Sequence, residues 1–523
     1  MPDFDGVVAG ERPAHRGGAT IAAPRFRWRA WAGPIAVTVL AAVLRLVNLG
    51  SPRSLVFDET YYVKDAYTLL NLGYEGQWPE GADDLFNAGT VDIFTSEAAY
   101  IAHPPLGKWI ISLGLQAFGA DDPFGWRVST AIVGVLAVAL VCVLAYALFR
   151  STVLATLAGA LMAIDGLAIV MSRTALLDNS LMFLTLLGFG AVLLDRRQSR
   201  ARLDAWLAGR ADAARSTDWG PALWWRPWLM AAALLLGLAT AVKWSGIYFL
   251  AVFAVYTLVV DAVARRRAGV TFWASSTLFR QGPVSFLLTV PIAALAYVAS
   301  WAGWFATSGG YYRDWANQNG DTTASWLPGA LQSFWHYQVS IYQTNLGQET
   351  PHSYQANPLS WLLLVRPTAF YYRGTAQGDD GCDFGTCSEF ITSLANPVLW
   401  WLSVAAAVFL LYRLVRHREW QVGLILTGLA AGYLPWLLYT DRTVFQFYTI
   451  VFLPYLILAF TFVAGLVLGD ESDDTARRTR GLATVAVVVA LIAATSVFFF
   501  STWTGAQVAG GYQQLHYWLP TWR

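Results

Sequence analysis

The feature that most restricts this chain is the recurrence of apolar runs close to the length of a bilayer crossing. A hydrocarbon core about 30 Å thick takes about 20 apolar residues of helix, because backbone polar groups in lipid must bond to one another. Such runs lie at residues 33–49, 126–149, 153–171, 179–194, 227–242, 245–263, 285–304, 397–412, 422–438, 445–468 and 482–500. They predict an all-α polytopic membrane protein with about eleven transmembrane helices. Composition agrees: 56% of the 523 residues are hydrophobic and 13% charged, against about 25% charged in soluble domains. No basic stripe interleaved with aromatic residues points to nucleic acid.

Arginine placement orients the chain. Arg12, Arg16, Arg25, Arg27 and Arg29 precede the first run. Arg150, the Arg-rich stretch 196–226, Arg265 to Arg267, Arg413 with Arg416 and Arg418, and Arg477 with Arg478 and Arg480 fall at alternate connections thereafter. The positive-inside rule puts these in the cytosol and the intervening loops outside. The expected division is a cytosolic tail 1–32, lacking the short apolar core and cleavage site of a signal peptide. A membrane module 33–303 follows, with an outer loop 50–122, then a large outer loop 304–396, helices 397–501 and an outer tail 502–523. Residues 105–118 are apolar but short. Counting them as a span would break the arginine alternation, so they are read as interfacial or re-entrant.

Chemistry-bearing residues collect on the outer side. Phe57-Asp58-Glu59 follows the first span directly, where carboxylates gain nothing from lipid. Asp58 and Glu59 read either as a helix N-terminus, complementing the dipole and capping free N–H groups, or as a general base for an attacking hydroxyl. His103-Pro104-Pro105-Leu106-Gly107-Lys108 is a rigid start to a helix flanked by two donors. Arg173 and Asp178 bracket an outer turn, read as an ion pair or as a phosphate ligand with its orienting carboxylate. Lys243 and Arg442 add outer cations; the chain's only lysines are Lys64, Lys108 and Lys243. Together they outline a pocket for a lipid-linked phosphate. Asp165 is an acid inside a span and thus a candidate by default. Cys382 and Cys387, five apart in a polar loop, have a spacing compatible with a small disulfide if that loop faces an oxidising compartment. The loop 306–396 lacks a buried-core pattern. Its Trp315, Trp326, Trp335, Tyr337 and Tyr342 read as a surface for an extended acceptor or as an interfacial belt. No nucleotide-binding glycine fingerprint, zincin motif or zinc-type cysteine cluster is present.

In these motifs the chain resembles the protein O-mannosyltransferase family, and most its actinobacterial members. The resemblance rests on Phe57-Asp58-Glu59, the His103 to Lys108 motif, Arg173 with Leu176-Leu177-Asp178, Val242-Lys243-Trp244, and Arg442 through Tyr448 before Pro454. It implies the C-type glycosyltransferase architecture, with interfacial helices in the first outer loop, in the plasma membrane with an extracytoplasmic active site. It implies transfer of one mannose, with inversion, from polyprenyl-phosphate mannose to Ser or Thr of a secreted or membrane polypeptide, in some members during translocation. By resemblance Asp58 is the catalytic base, with Glu59 beside it supporting acceptor binding. Arg173 and Lys243 face the donor phosphate with Arg442 as a further outer cation, and His103, Lys108 and Asp178 belong to donor or acceptor loops. No cofactor or metal site is firmly implied, and Mg²⁺ or Mn²⁺ is left open. Residues 306–396 are too short for the β-trefoil insertion of eukaryotic relatives. A related transferase acting on a glycan or lipid acceptor is the alternative. A transporter would instead place charges at mid-span.

Overall fold

Local chemistry sets where the apolar runs start and stop. The computed structural model describes residues 28–212, 216–319, 325–470 and 472–523, so Arg12, Arg16, Arg25 and Arg27 lie outside the described residues. Helix α1 (Ala32–Leu46) leads into the loop expected on the outer side, which carries α2 (Glu59–Leu72), α3 (Ala82–Asn87) and α4 (Leu106–Phe118). At 13 residues α4 is too short to cross a bilayer. Then come α5 (Pro123–Phe149), α6 (Thr152–Ile164), α7 (Gly166–Arg173), α8 (Asp178–Asp212), α9 (Pro227–Val242) and α10 (Gly246–Arg267). Asp122 opens α5, its carboxylate accepting from the Phe124 N–H at 2.9 Å with Pro123 at the first helical position.

Helix length alone accounts for fewer than the eleven spans the sequence predicts. Eight described helices are long and apolar enough to cross, or nine with one bent pair. Pro227–Val242 and Leu453–Leu468 are apolar helices of 16 residues each, short of that length. Both begin with proline in their first turn, which fixes where the helix starts whatever the apolar run before it.

The bent pair is α6 and α7, which meet at 60°. Asp165 sits at the break. One carboxylate oxygen accepts from the Ala168 N–H at 3.1 Å and the other from the Asn396 N–H at 2.9 Å. Asn396 in turn donates to the Ile492 carbonyl and the Ser496 hydroxyl, both at 2.8 Å. This intramembrane acid is a joint: it satisfies amides that the broken helix would leave bare in lipid.

An all-α chain is not what the large outer loop delivers. Thr368–Ala376 (β1) and Thr386–Ser393 (β2) form an antiparallel hairpin, and Val508–Ala509 (β3) adds to β2. A disulfide joins Cys382 to Cys387 across the end of the hairpin. Both strands are rich in β-branched and aromatic residues, which favour a pleated surface over a helix. The same region also builds a core of its own. Trp301, Trp304, Phe334, Tyr337 and Ile341 pack with Ile101 of the first outer loop. Tyr337 is therefore buried, whereas Trp326 and Trp335 are exposed.

At the opposite end, Arg226 is buried between Asp195 and Asp261. This ties α8, α9 and α10 together at the side that the arginine pattern assigns to the cytosol.

Candidate active site

Asp58 and Glu59 are neighbours in sequence and opposites in the fold. Phe57 adopts a left-handed backbone, φ 49°, which is uncommon for a bulky residue. Its ring stacks on Phe370 of β1, with centroids 4.7 Å apart, and meets Phe445 and Phe447 edge-on at 5.7 and 5.6 Å. The packing holds the strained turn in place. The turn sends the two carboxylates in different directions.

Glu59 goes inward and is fully buried. Arg127 of α5 grips it through Nε at 2.8 Å and Nη2 at 2.8 Å, while the Ala175 and Val56 amides donate to it at 2.8 and 3.0 Å. The remaining Arg127 donors reach the carbonyls of Pro52 at 2.9 Å and Ser54 at 2.8 Å. Glu59 thus has every acceptor site engaged by the protein. It fixes the loop and leaves nothing for a substrate.

Asp58 is half-buried, and its side chain makes no capping hydrogen bond to α2. Glu59 caps no amide of α2 either: it accepts from the Val56 N–H, which precedes the helix. Burial pushes the Asp58 carboxyl up to about 7, with Lys243 pulling it down and Asp178 pushing it further up. A carboxylate with that proton affinity, with no helix cap to serve, suits proton transfer near neutral pH.

Lys243 stands at the end of α9 and binds both Asp178 oxygens, at 3.0 and 3.2 Å, at the first turn of α8. Its ammonium lies 3.8 Å from the Tyr448 ring centroid. Burial disfavours this ammonium, but Asp178, then Tyr448 and Asp58, leave it held more firmly than an ordinary lysine. Gly107 is what lets the His103–Lys108 segment close on this corner. A Cβ there would lie 2.6 Å from Leu177 Cδ2 and 3.1 Å from Val242 Cγ1. Lys243, His103 and Arg442 line one cleft with Tyr342 and Asn345, and Arg442 donates to Asn345 at 2.9 Å. The Arg442 Nε is buried without a partner. His103 is held well below its usual range, first by burial and then by Lys243, Lys108 and Arg442, so it stays neutral.

Two expected ligands sit elsewhere. Arg173 donates to the carbonyls of Leu44, Arg45, Val47 and Asn48 at 2.8 to 3.2 Å. It satisfies the carbonyls that the end of α1 leaves open, which corrects its placement at the donor phosphate. Lys108 is buried against Asp65 at 3.0 Å and Glu75 at 2.8 Å. It pins α4 to α2 rather than lining the cleft. Arg127 was missed by sequence reading; its one signal is a charged residue in the first turn of a span. Tyr62, one turn after Asp58, was also missed; its ring lies 6.2 Å from that of His103. Among the described residues no three His, Cys, Asp or Glu side chains gather as metal ligands.

Comparison with known proteins shows the family. Residues 35–212 match the family described as dolichyl-phosphate-mannose-protein mannosyltransferase, and residues 330–522 match the C-terminal four-TMM region of protein-O-mannosyltransferase. A polyprenol-phosphate-mannose–protein mannosyltransferase of Mycolicibacterium smegmatis is 35% identical over 537 aligned residues, covering 100% of this chain and 99% of its own. The enzyme of the same name from Mycobacterium tuberculosis is 34% identical, covering 96% and 93%. Among solved structures, the S. cerevisiae protein O-mannosyltransferase Pmt1-Pmt2 complex bound to the sugar donor superposes with a TM-score of 0.68 at 14% identity, covering 95% and 93%. With these matches, the chain belongs to the polyprenol-phosphate-mannose–protein mannosyltransferase family of C-type membrane glycosyltransferases.

Proposed function

We propose that this enzyme moves a single mannose from polyprenyl-phosphate mannose to a Ser or Thr hydroxyl of a polypeptide, on the outer face of the plasma membrane, with inversion at the anomeric carbon. The observation that carries the reading is Asp58, a carboxylate raised to about 7 and left without a cap bond, facing the charges of Lys243 and Asp178. The names of the relatives supply the donor and the protein acceptor.

In the proposed step the acceptor oxygen attacks the anomeric carbon, the bond from that carbon to the phosphate oxygen breaks, and the hydroxyl proton passes to Asp58. The leaving group is already a phosphate, so it takes charge stabilisation rather than a proton. Lys243 and Arg442 supply positive charge from a partly dry cleft, where it is most effective. Neutral His103 offers a hydrogen bond without adding repulsion to those cations. Glu59 and Arg127 position the base and do not touch substrate.

The test is to incubate the purified enzyme in vesicles with labelled polyprenyl-phosphate mannose and a Thr/Pro-rich peptide. Mass spectrometry and NMR of the product are expected to show one α-mannose on a hydroxyl, with transfer persisting in EDTA. Transfer only to a glycan or lipid acceptor, or a β-linked product, would contradict the proposal.

A further inference from the structure

We infer that the outer edge of β1 is the track on which an extended acceptor polypeptide docks, adding as a further strand that carries its hydroxyl to Asp58. This rests on the protein-acceptor reading above. The sheet order is β1-β2-β3, so β1 pairs on one side only. Among the described residues, the one backbone bond from β1 outside the hairpin ladder runs from the Asp379 N–H to the Ala376 carbonyl, at its far end. Tyr372, Arg373 and Gly374 are exposed along it. This exposed stretch is unpaired on its outer side, and unpaired strand groups invite pairing with another chain.

The edge leads to the chemistry. The ladder register shifts between Ala369 and Tyr371, and the intervening Phe370 stacks almost parallel on Phe57, the residue before Asp58. A bulge that re-aims a side chain beside a reactive centre is a common use of this irregularity. At the other end of β1 lies a groove of about 620 Å³, lined by Tyr372, Thr375, Ser388, Gln513 and Tyr517. Thr375 and Ser388 are themselves buried beneath it.

An extended polypeptide fits this edge: its main chain pairs with β1, and a strand of nine residues spans about 30 Å. Main-chain pairing is blind to side-chain identity, so recognition of this kind places little demand on the acceptor's sequence.

The experiment uses the wild-type enzyme in vesicles with polyprenyl-phosphate mannose and a set of Thr peptides. N-methylation of alternate backbone amides is expected to raise KM about tenfold per position with kcat unchanged, one main-chain bond being lost each time. Alanine at non-acceptor positions is expected to change KM less than about twofold, since no side-chain bond is lost. A photoreactive residue beside the acceptor threonine is expected to crosslink within residues 370–375. Tolerance of every N-methyl group, or crosslinks confined to the helix Gly329–Leu346, would overturn the edge while leaving transfer to protein intact. Failure of the unmodified peptide to accept mannose at all would overturn the protein-acceptor reading and this inference with it.

Discussion

Asp58 and Glu59 look interchangeable in a sequence, and what separates them is one backbone angle. The left-handed turn at Phe57 buries the second carboxylate under Arg127 and leaves the first half-open. That the pair mattered was legible, because carboxylates beside a membrane span need a reason. The choice of Asp58 as the proposed base came from the family resemblance and not from the residue types, because the geometry that separates the pair depends on Phe370, more than 300 residues away, stacking on Phe57. Two outcomes follow at this scale. Asp58 must be ionised to accept a proton, so single-turnover transfer should be full well above pH 7 and fall as pH drops through about 7. His103, held neutral by burial and three cations, adds no second limb on the acid side. A rate flat between pH 5 and 8 would remove Asp58 as the base. Glu59→Gln leaves the buried Arg127 charge without its partner, and should destabilise the protein by roughly 3–5 kcal/mol. The check is thermal unfolding in detergent, where transfer and donor binding should decline together.

At the scale of elements, periodicity and proline placement made the long helices readable, and the structure departs where tertiary bonds override them. The run 153–171 has the composition of one span, yet it breaks at Asp165 because that carboxylate caps α7 and holds Asn396. The hairpin was hidden because polar loop composition masked its alternation. The end of α1 gives the sharpest contrast with expectation. Arg173 is a cap made of side chain, closing four carbonyls of α1 and the turn after it, while Lys243 reaches the cleft. Lys243→Ala should therefore raise the Kd for polyprenyl-phosphate mannose and, by leaving buried Asp178 without its partner, also lower the melting temperature, whereas Arg173→Ala should leave that Kd near the wild-type value. Arg173→Ala should lower thermal stability by about 1–3 kcal/mol, from carbonyls left unpaired. Donor titration and unfolding on both variants check this; the reverse pattern would return Arg173 to the phosphate.

For the molecule as a whole, arginine alternation already separated two faces, and the site residues fall on the side it assigns to the exterior. Asp58, His103, Lys243 and Arg442 come from segments spread over nearly 400 residues, yet His103, Lys243 and Arg442 line one cleft and Asp58 is close enough to Lys243 to feel its charge. The described protein also contains an inner anchor, Arg226 with Asp195 and Asp261, that no outer ligand would use. Orientation is checked through the cysteines: Cys382 and Cys387 are disulfide-bonded and Cys142 is buried. In intact cells, brief reduction should let a membrane-impermeant maleimide label Cys382 and Cys387, and labelling that appears only after permeabilisation would invert the topology.

The most direct test of the central claim is mannose transfer by Asp58→Asn alongside its donor binding. The account predicts that transfer to peptide falls by about 10²–10⁴-fold while polyprenyl-phosphate mannose binds as in the wild type. Wild-type transfer in that variant, or loss of donor binding equal to the loss of rate, would contradict it.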